Sequence, residues 1–209
     1  MIRIAVVGGI GSGKSYIAKL FGYPVFNADI EVAKLYRKSR KCYKKLKKVI
    51  PSYVNAFPVK KNKISEAVLH NQNNLRKIVK IIHPLVRLKM EKFLKKNKNK
   101  KMVILDIPLL MENKINKSNL ILVFVDAEQK EIKKRLEKRS NYNEKIFKKL
   151  KKLQLPVEIK RKKSDFTIKN NFKQQRTKKN VKILVKKILL NDRNNTRYGN
   201  NRTFYKGKT

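Results

Sequence analysis

The sequence predicts an α/β fold, a parallel sheet covered by helices on both faces. Three observations carry that prediction. Apolar, strand-like segments alternate with amphipathic, helix-like ones along most of the chain. A strand, a glycine-rich loop and a helix follow one another at the N-terminus. The stretch from Arg37 to Lys101 carries no strand pattern, and "AVLHNQNNLRKIVKIIHPLVRLKMEKFL" within it repeats its apolar positions at three and four.

The elements follow in order. Ile2, Ile4, Ala5, Val6 and Val7 read as a short buried strand, and Tyr16, Ile17, Leu20 and Phe21 recur at helical spacing. "PVFNAD" (24 to 29) is a short second strand, followed by the helical "IEVAKLYRK". Residues 37–101 then read as a helical insertion of the kind that recognises a second substrate. "MVILDIPLL" (102 to 110), "NLILVFVDA" (119 to 127) and "DFTIKN" (165 to 170) are further strands. Leu136, Ile146 and Phe147, amid lysines and arginines, suggest two mobile amphipathic helices over residues 133–152. Val181, Leu184, Val185 and Ile188 form the apolar stripe of a terminal helix. Beyond Asn191, "NDRNNTRYGNNRTFYKGKT" is basic and too poor in apolar residues to pack, so a disordered tail over 192–209 is expected.

Between the first strand and helix, Gly8, Gly9, Ile10, Gly11, Ser12, Gly13, Lys14 and Ser15 fit G-x-x-x-x-G-K-[ST], the phosphate-binding loop. Phosphate oxygens need many donors at close range, and glycines let successive backbone N–H groups turn inward where a Cβ would obstruct them. The following helix adds its own N–H groups and the positive end of its dipole. Lys14 would reach the β- and γ-phosphates, and the Ser15 hydroxyl would ligate Mg²⁺. A glycine-rich turn with no ligand is the plainer alternative, disfavoured because strand, loop and helix stand in order around the motif.

Composition bounds the partners. Lys and Arg number 56 against 14 Asp and Glu, a formal net charge of +42. Such a field attracts any polyanion, non-specifically for nucleic acid, and raises encounter rates with phosphorylated metabolites. The excess is mostly lysine, spread along the whole chain beside abundant Asn and Ile, so compositional drift towards A/T-rich codons explains it as well as a nucleic-acid role does. The single cysteine, Cys42, excludes an internal disulfide framework and suits a reducing cytosol. His70 and His83 have no cysteine near them and form no zinc pattern. Neither a signal peptide nor a membrane span is legible, and a cytoplasmic protein without membrane partners is expected.

A phosphate loop alone does not separate a kinase from other nucleotide hydrolases; further acidic residues do. Asp29, at the end of the second strand, points towards the ligand crevice of an open sheet, where a carboxylate accepts the proton of an attacking hydroxyl. Equally, it precedes a helix and would serve as its N-cap. Asp106, also at a strand end, could hold Mg²⁺ through water, and Glu112 either supports it or caps a helix. His83 with Pro84 is expected to interrupt the helical insertion, because proline biases its predecessor away from helical angles.

"GGIGSGKS" (8 to 15), "NAD" (27 to 29), "IIHPLVR" (81 to 87), "DIPLLMEN" (106 to 113), "VDAEQKEIKKRLEKR" (125 to 139) and "QLPVEIKRKKSDFTIKNN" (154 to 171) resemble, in order and spacing, the signatures of the dephospho-CoA kinases. The resemblance covers residues 1 to about 190. It implies ATP-dependent phosphorylation of the ribose 3′-hydroxyl of dephospho-coenzyme A, with Mg²⁺, by a monomer or small homo-oligomer. It implies a P-loop kinase fold of the nucleoside-monophosphate-kinase type: five parallel strands in a nucleotide-binding core (1–36, 102–127 and 164–191), a helical substrate insertion (37–101) and a lid (128–163). Within that resemblance Gly9, Ile10, Gly11, Ser12, Gly13, Lys14, Ser15 and Tyr16 hold the nucleotide. Asp29 is the base, Arg139 a lid arginine closing on the triphosphate, and Asn170 a contact at the adenine end. His83, Asp106 and Arg161 fall in motifs on the acceptor side.

Two positions depart from the family pattern. Asn27 stands where the family has the first of two aspartates, which puts any supporting role of that residue in doubt, and Tyr16 stands where threonine is frequent. Two rival readings stay open: a basic nucleic-acid-binding protein with a vestigial loop, aided by Tyr198, Phe204 and Tyr205 in the tail, and a kinase for another small molecule.

Overall fold

The structure, a computed structural model, describes residues 1–108, 111, 120–138, 142–152 and 154–197, and only the backbone of 146 and 193–197. Five strands and nine helices are described: β1 (Ile2–Gly8), α1 (Lys14–Leu20), β2 (Val25–Asn27), α2 (Ala28–Lys38), α3 (Arg40–Val49), α4 (Lys61–His70), α5 (Gln72–Lys96), β3 (Met102–Asp106), β4 (Leu120–Asp126), α6 (Gln129–Glu137), α7 (Glu144–Lys152), α8 (Val157–Lys162), β5 (Phe166–Lys169) and α9 (Gln174–Arg197). Their described residues pack as two compact units: those of 1–26, 99–142 and 152–197, and those of 27–98 and 143–151.

In the first unit the strands form one parallel sheet in the order β2-β3-β1-β4-β5. β1 is central: Ile4 pairs with Ile104 of β3 on one side and Ile121 of β4 on the other. A strand covered on both faces needs apolar residues at successive positions, which is why IRIAVVG, MVILD and LILVFVD read as near-continuous apolar runs. Ile4, Val6, Met102, Ile104, Val123 and Val125 pack with Ile17, Ala18 and Phe21 around α1 and with Val181, Leu184 and Ile188 of α9. Ala5, Val7, Val103, Leu105 and Phe124 are buried as well. Each such Val, Leu, Ile, Phe or Met side chain contributes roughly 1.5–3 kcal/mol by leaving water. This core therefore fixes the strand ends from which the site residues project.

The second unit is helical, and no strand lies between residues 28 and 98. Its core joins Leu35 and Tyr36 of α2, Cys42 and Leu46 of α3, Ile64, Ala67 and Val68 of α4, and Ile78 and Ile82 of α5. Local caps start these helices: the side chains of Asn27, Ser39 and Asn71 accept the N–H groups of Ile30, Cys42 and Asn73. α7 joins the same unit through Lys149, whose Nζ donates to the carbonyls of Leu69 (2.6 Å) and Val68 (3.3 Å) in the last turn of α4. Those carbonyls lie at the negative end of the α4 dipole, where a cation is favourable.

Three details differ from the sequence-based expectations. β2 is only three residues long, so Asp29 lies in the first turn of α2 rather than in a strand. Pro84 does not interrupt the insertion: α5 runs unbroken through it from Gln72 to Lys96. The missing proline N–H frees the Lys80 carbonyl, but Lys80 and Pro84 are both exposed, so water can serve that oxygen while Ile78 and Ile82 stay buried. Lastly, α9 continues to Arg197, past the expected onset of disorder at Asn191, and residues 198–209 lie outside the described residues.

Candidate functional site

The site is built on the C-terminal edge of the parallel sheet, where β1 gives way to the loop 8–13 and then to α1. Open parallel sheets place ligands at this edge. Gly13 caps α1 in a left-handed conformation, with φ of 90°. A Cβ there would collide with the Asn170 amide nitrogen, so the position is closed to side chains both by conformation and by space. At Gly11 a Cβ would come within 2.9 Å of Ile132 Cγ2, so α6 packs directly on the loop.

The loop's carbonyls are engaged by side chains. Lys14 Nζ donates to Gly9 O at 2.7 Å and to Gly8 O at 3.4 Å. Asn170 Nδ2 donates to Ser12 O at 2.8 Å, and Ser12 N–H donates to Gly9 O at 3.3 Å. Carbonyl oxygens repel an anion and N–H groups attract it. Tying the carbonyls down is therefore what a phosphate cradle requires. Ser15 follows in the first turn of α1 with its side chain exposed. Tyr16 is half-buried, and its hydroxyl has no hydrogen-bond partner among the described residues; the same holds for the buried Ser12 hydroxyl.

The strands beside β1 bring acidic residues to the same edge. Asp106 ends β3 and is 2% exposed. Asp126 ends β4 and pairs with Arg161 of α8, Nη2 to Oδ1 at 3.0 Å, while the guanidinium lies 5.2 Å from the centre of the Phe124 ring. Arg161 also approaches Glu158 at 3.7 Å, and its side chain is 42% exposed, so solvent screens these pairs. Asn170, immediately after β5, donates its backbone N–H to Asp126 O at 2.7 Å. Phe172 carries the guanidinium of Arg135 over its ring at 4.5 Å.

Asp29 and His83 belong to the second unit, on α2 and α5, two helices that pack on one another. Asn27, not Asp29, caps α2: Asn27 Oδ1 accepts the Ile30 N–H at 2.9 Å. Asp29 stands in the first turn beyond that cap with Glu31, where a carboxylate favours the helix dipole. His83 is half-buried, and burial, helped by the nearby Arg87 charge, holds its imidazole below the ordinary histidine value. Arg139 and Glu112 lie outside the described residues.

The first unit thus gathers the residues 9–16, Asp106, Arg161 and Asn170 at the sheet edge. Asp126 was missed by sequence reasoning, although an aspartate ending an apolar strand was a usable signal. The bonds of Asn170 to the loop carried none. Among the described residues no group of three or more His, Cys, Asp or Glu side chains could hold a metal. That donor set still fits Mg²⁺ in a phosphate loop, where one hydroxyl suffices and waters and phosphate oxygens complete the shell. No helix among the described residues is long and apolar enough to cross a membrane.

Comparison with known proteins agrees with this fold. The family model described as dephospho-CoA kinase matches residues 2–176. A dephospho-CoA kinase of Bartonella henselae is 35% identical over 193 residues, covering 90% of this chain and 98% of that protein. One from Wolbachia sp. subsp. Brugia malayi is 32% identical over 192 residues with the same coverage. Among solved structures, TT1252 from Thermus thermophilus superposes with a TM-score of 0.73 at 26% identity, covering 91% of this chain and 97% of that one. The dephospho-CoA kinase from Campylobacter jejuni gives 0.61 at 19% identity over 90% and 96%, a likeness of fold. With a family model spanning most of its length and relatives above 30% identity along nearly all of theirs, the chain belongs to the dephospho-CoA kinase family.

Proposed function

We propose that this chain transfers the γ-phosphoryl group of ATP to the ribose 3′-hydroxyl of dephospho-coenzyme A, releasing coenzyme A and ADP. The observation that carries this reading is the loop itself. Its carbonyls at Gly8, Gly9 and Ser12 are held by Lys14 and Asn170, which leaves backbone N–H groups to meet an oligophosphate. The family match supplies the acceptor.

Residues 9–16 would cradle the β- and γ-phosphates, with the Lys14 ammonium giving one N–H to the Gly9 carbonyl and another to a phosphate oxygen. The Ser15 hydroxyl, with Asp106 acting through water, would hold Mg²⁺, which would supply charge neutralisation to the phosphates. Asp29 would orient the 3′-hydroxyl and accept its proton as the new O–P bond forms and the bond to ADP breaks. Arg139 would close on the triphosphate, and His83 and Arg161 would contact the acceptor. Phosphoryl transfer is mostly positioning and charge neutralisation, which suits a site of donors and cations with a carboxylate to take the proton and no covalent nucleophile.

The test is direct: purified protein, Mg-ATP and dephospho-coenzyme A, with coenzyme A detected by mass. A panel of other hydroxyl acceptors assayed for ADP release runs beside it. Formation of coenzyme A is expected; release of ADP with a different acceptor and none with dephospho-coenzyme A would replace this reading.

A further inference from the structure

Asn170 contacts the phosphate loop rather than standing apart from it. Its side chain is 2% exposed and Ser12 is 1% exposed, so the Nδ2 to Ser12 O bond of 2.8 Å lies in a dry place where an orphaned carbonyl is costly. The amide orientation is dictated by its other partners. Oδ1 accepts the Phe172 N–H at 3.1 Å and the hydroxyl of the fully buried Thr177 at 3.4 Å, so the nitrogen must face Ser12. The Asn170 backbone N–H is fixed in turn to Asp126 O at the end of β4. The amide also fills the space a side chain at residue 13 would need.

We infer that Asn170 is a positioning residue for the triphosphate, acting through the Ser12–Gly13 peptide. In a trans peptide the carbonyl and the following N–H point in opposite directions. Holding Ser12 O against Asn170 therefore turns the Gly13 N–H the other way, to the side on which phosphate oxygens are bound. This assignment rests on the loop being a triphosphate site. It differs from a contact between Asn170 and the adenine base, which would leave the phosphates indifferent to the residue.

Inorganic tripolyphosphate, which has no base, separates the possibilities. Dissociation constants of Mg-ATP and Mg-tripolyphosphate are measured for the wild type, Asn170→Ala and Asn170→Ser, below the unfolding temperature of each. Asn170→Ser keeps an acceptor for the Phe172 N–H, is too short to reach Ser12 O, and adds no charge against either ligand. Both variants are expected to lose about tenfold or more for ATP and for tripolyphosphate alike, the scale of one buried hydrogen bond left unmade. A loss confined to ATP assigns Asn170 to the base and overturns the inference. So does unchanged affinity for both ligands with only a lowered Tm, which would make the residue structural. If Asn170→Ala does not fold, Asn170→Ser alone decides. Failure of the wild type to bind either ligand would instead remove the triphosphate reading of the loop.

Discussion

Lys14 Nζ sits 2.7 Å from the carbonyl oxygen of Gly9, so the lysine that ends the loop is folded back onto the loop's own backbone. An ammonium has three N–H groups, so one can hold the Gly9 carbonyl while another meets an anion. Under the proposed function, removing it would take away charge where charge develops in the transition state. Lys14→Ala is expected to lower kcat by roughly 10²–10³-fold or more while the protein stays folded. Steady-state kinetics with dephospho-coenzyme A and a thermal melt check this together.

Asn27 and Asp29 are separable because only Asn27 caps α2. Asn27→Ala is expected to lower stability by about 1 kcal/mol. Asp29→Asn is expected to lose ~10²-fold in kcat with the acceptor KM largely kept, and to change the melting temperature little. Wild-type turnover in Asp29→Asn would return that residue to a purely helical role.

Gly13 and Gly22 make a matched pair. Both have positive φ, 90° and 74°, but a Cβ at Gly22 meets open space whereas one at Gly13 meets Asn170. Gly22→Ala should cost only the backbone term, ~1–2 kcal/mol. Gly13→Ala should cost more and should abolish detectable ATP binding, because relieving the collision moves the Ser12–Gly13 peptide. Chemical denaturation alongside a nucleotide-binding isotherm gives both quantities.

His83 makes stability depend on pH. Burial and then Arg87 lower its pKa from 6.5, so below that value the unfolded chain binds a proton that the folded chain resists. The unfolded state then carries more protons, stability rises with pH, and the contribution is lost as pH falls through 6.5 and below. Urea unfolding between pH 5 and 7.5 should show a positive slope of stability against pH, flattened in His83→Asn. An unchanged slope would assign the dependence to other groups.

The sequence by itself determined the alternation of elements, the central apolar strands and the phosphate loop. Each is written in neighbouring residues: buried parallel strands need continuous apolar runs, and the cradle needs glycines and a lysine at fixed spacing. It also named Asp29 at the end of a strand; the structure places it in the first turn of α2, one hydrogen bond from Ile30 to Asn27 making Asn27 the N-cap. Tertiary structure alone decided the pairings. Asn170 reaches Ser12 across 158 residues and Arg161 reaches Asp126 across 35, and such contacts depend on which strand ends the sheet order places side by side. Pro84 shows the same physics acting against a local rule: proline disfavours a helix by about 3 kcal/mol, yet Ile78 and Ile82, packed against the second unit's core on the same helix, hold α5 together. Local preference sets what a segment tends towards, and the burial available to its neighbours decides what it becomes.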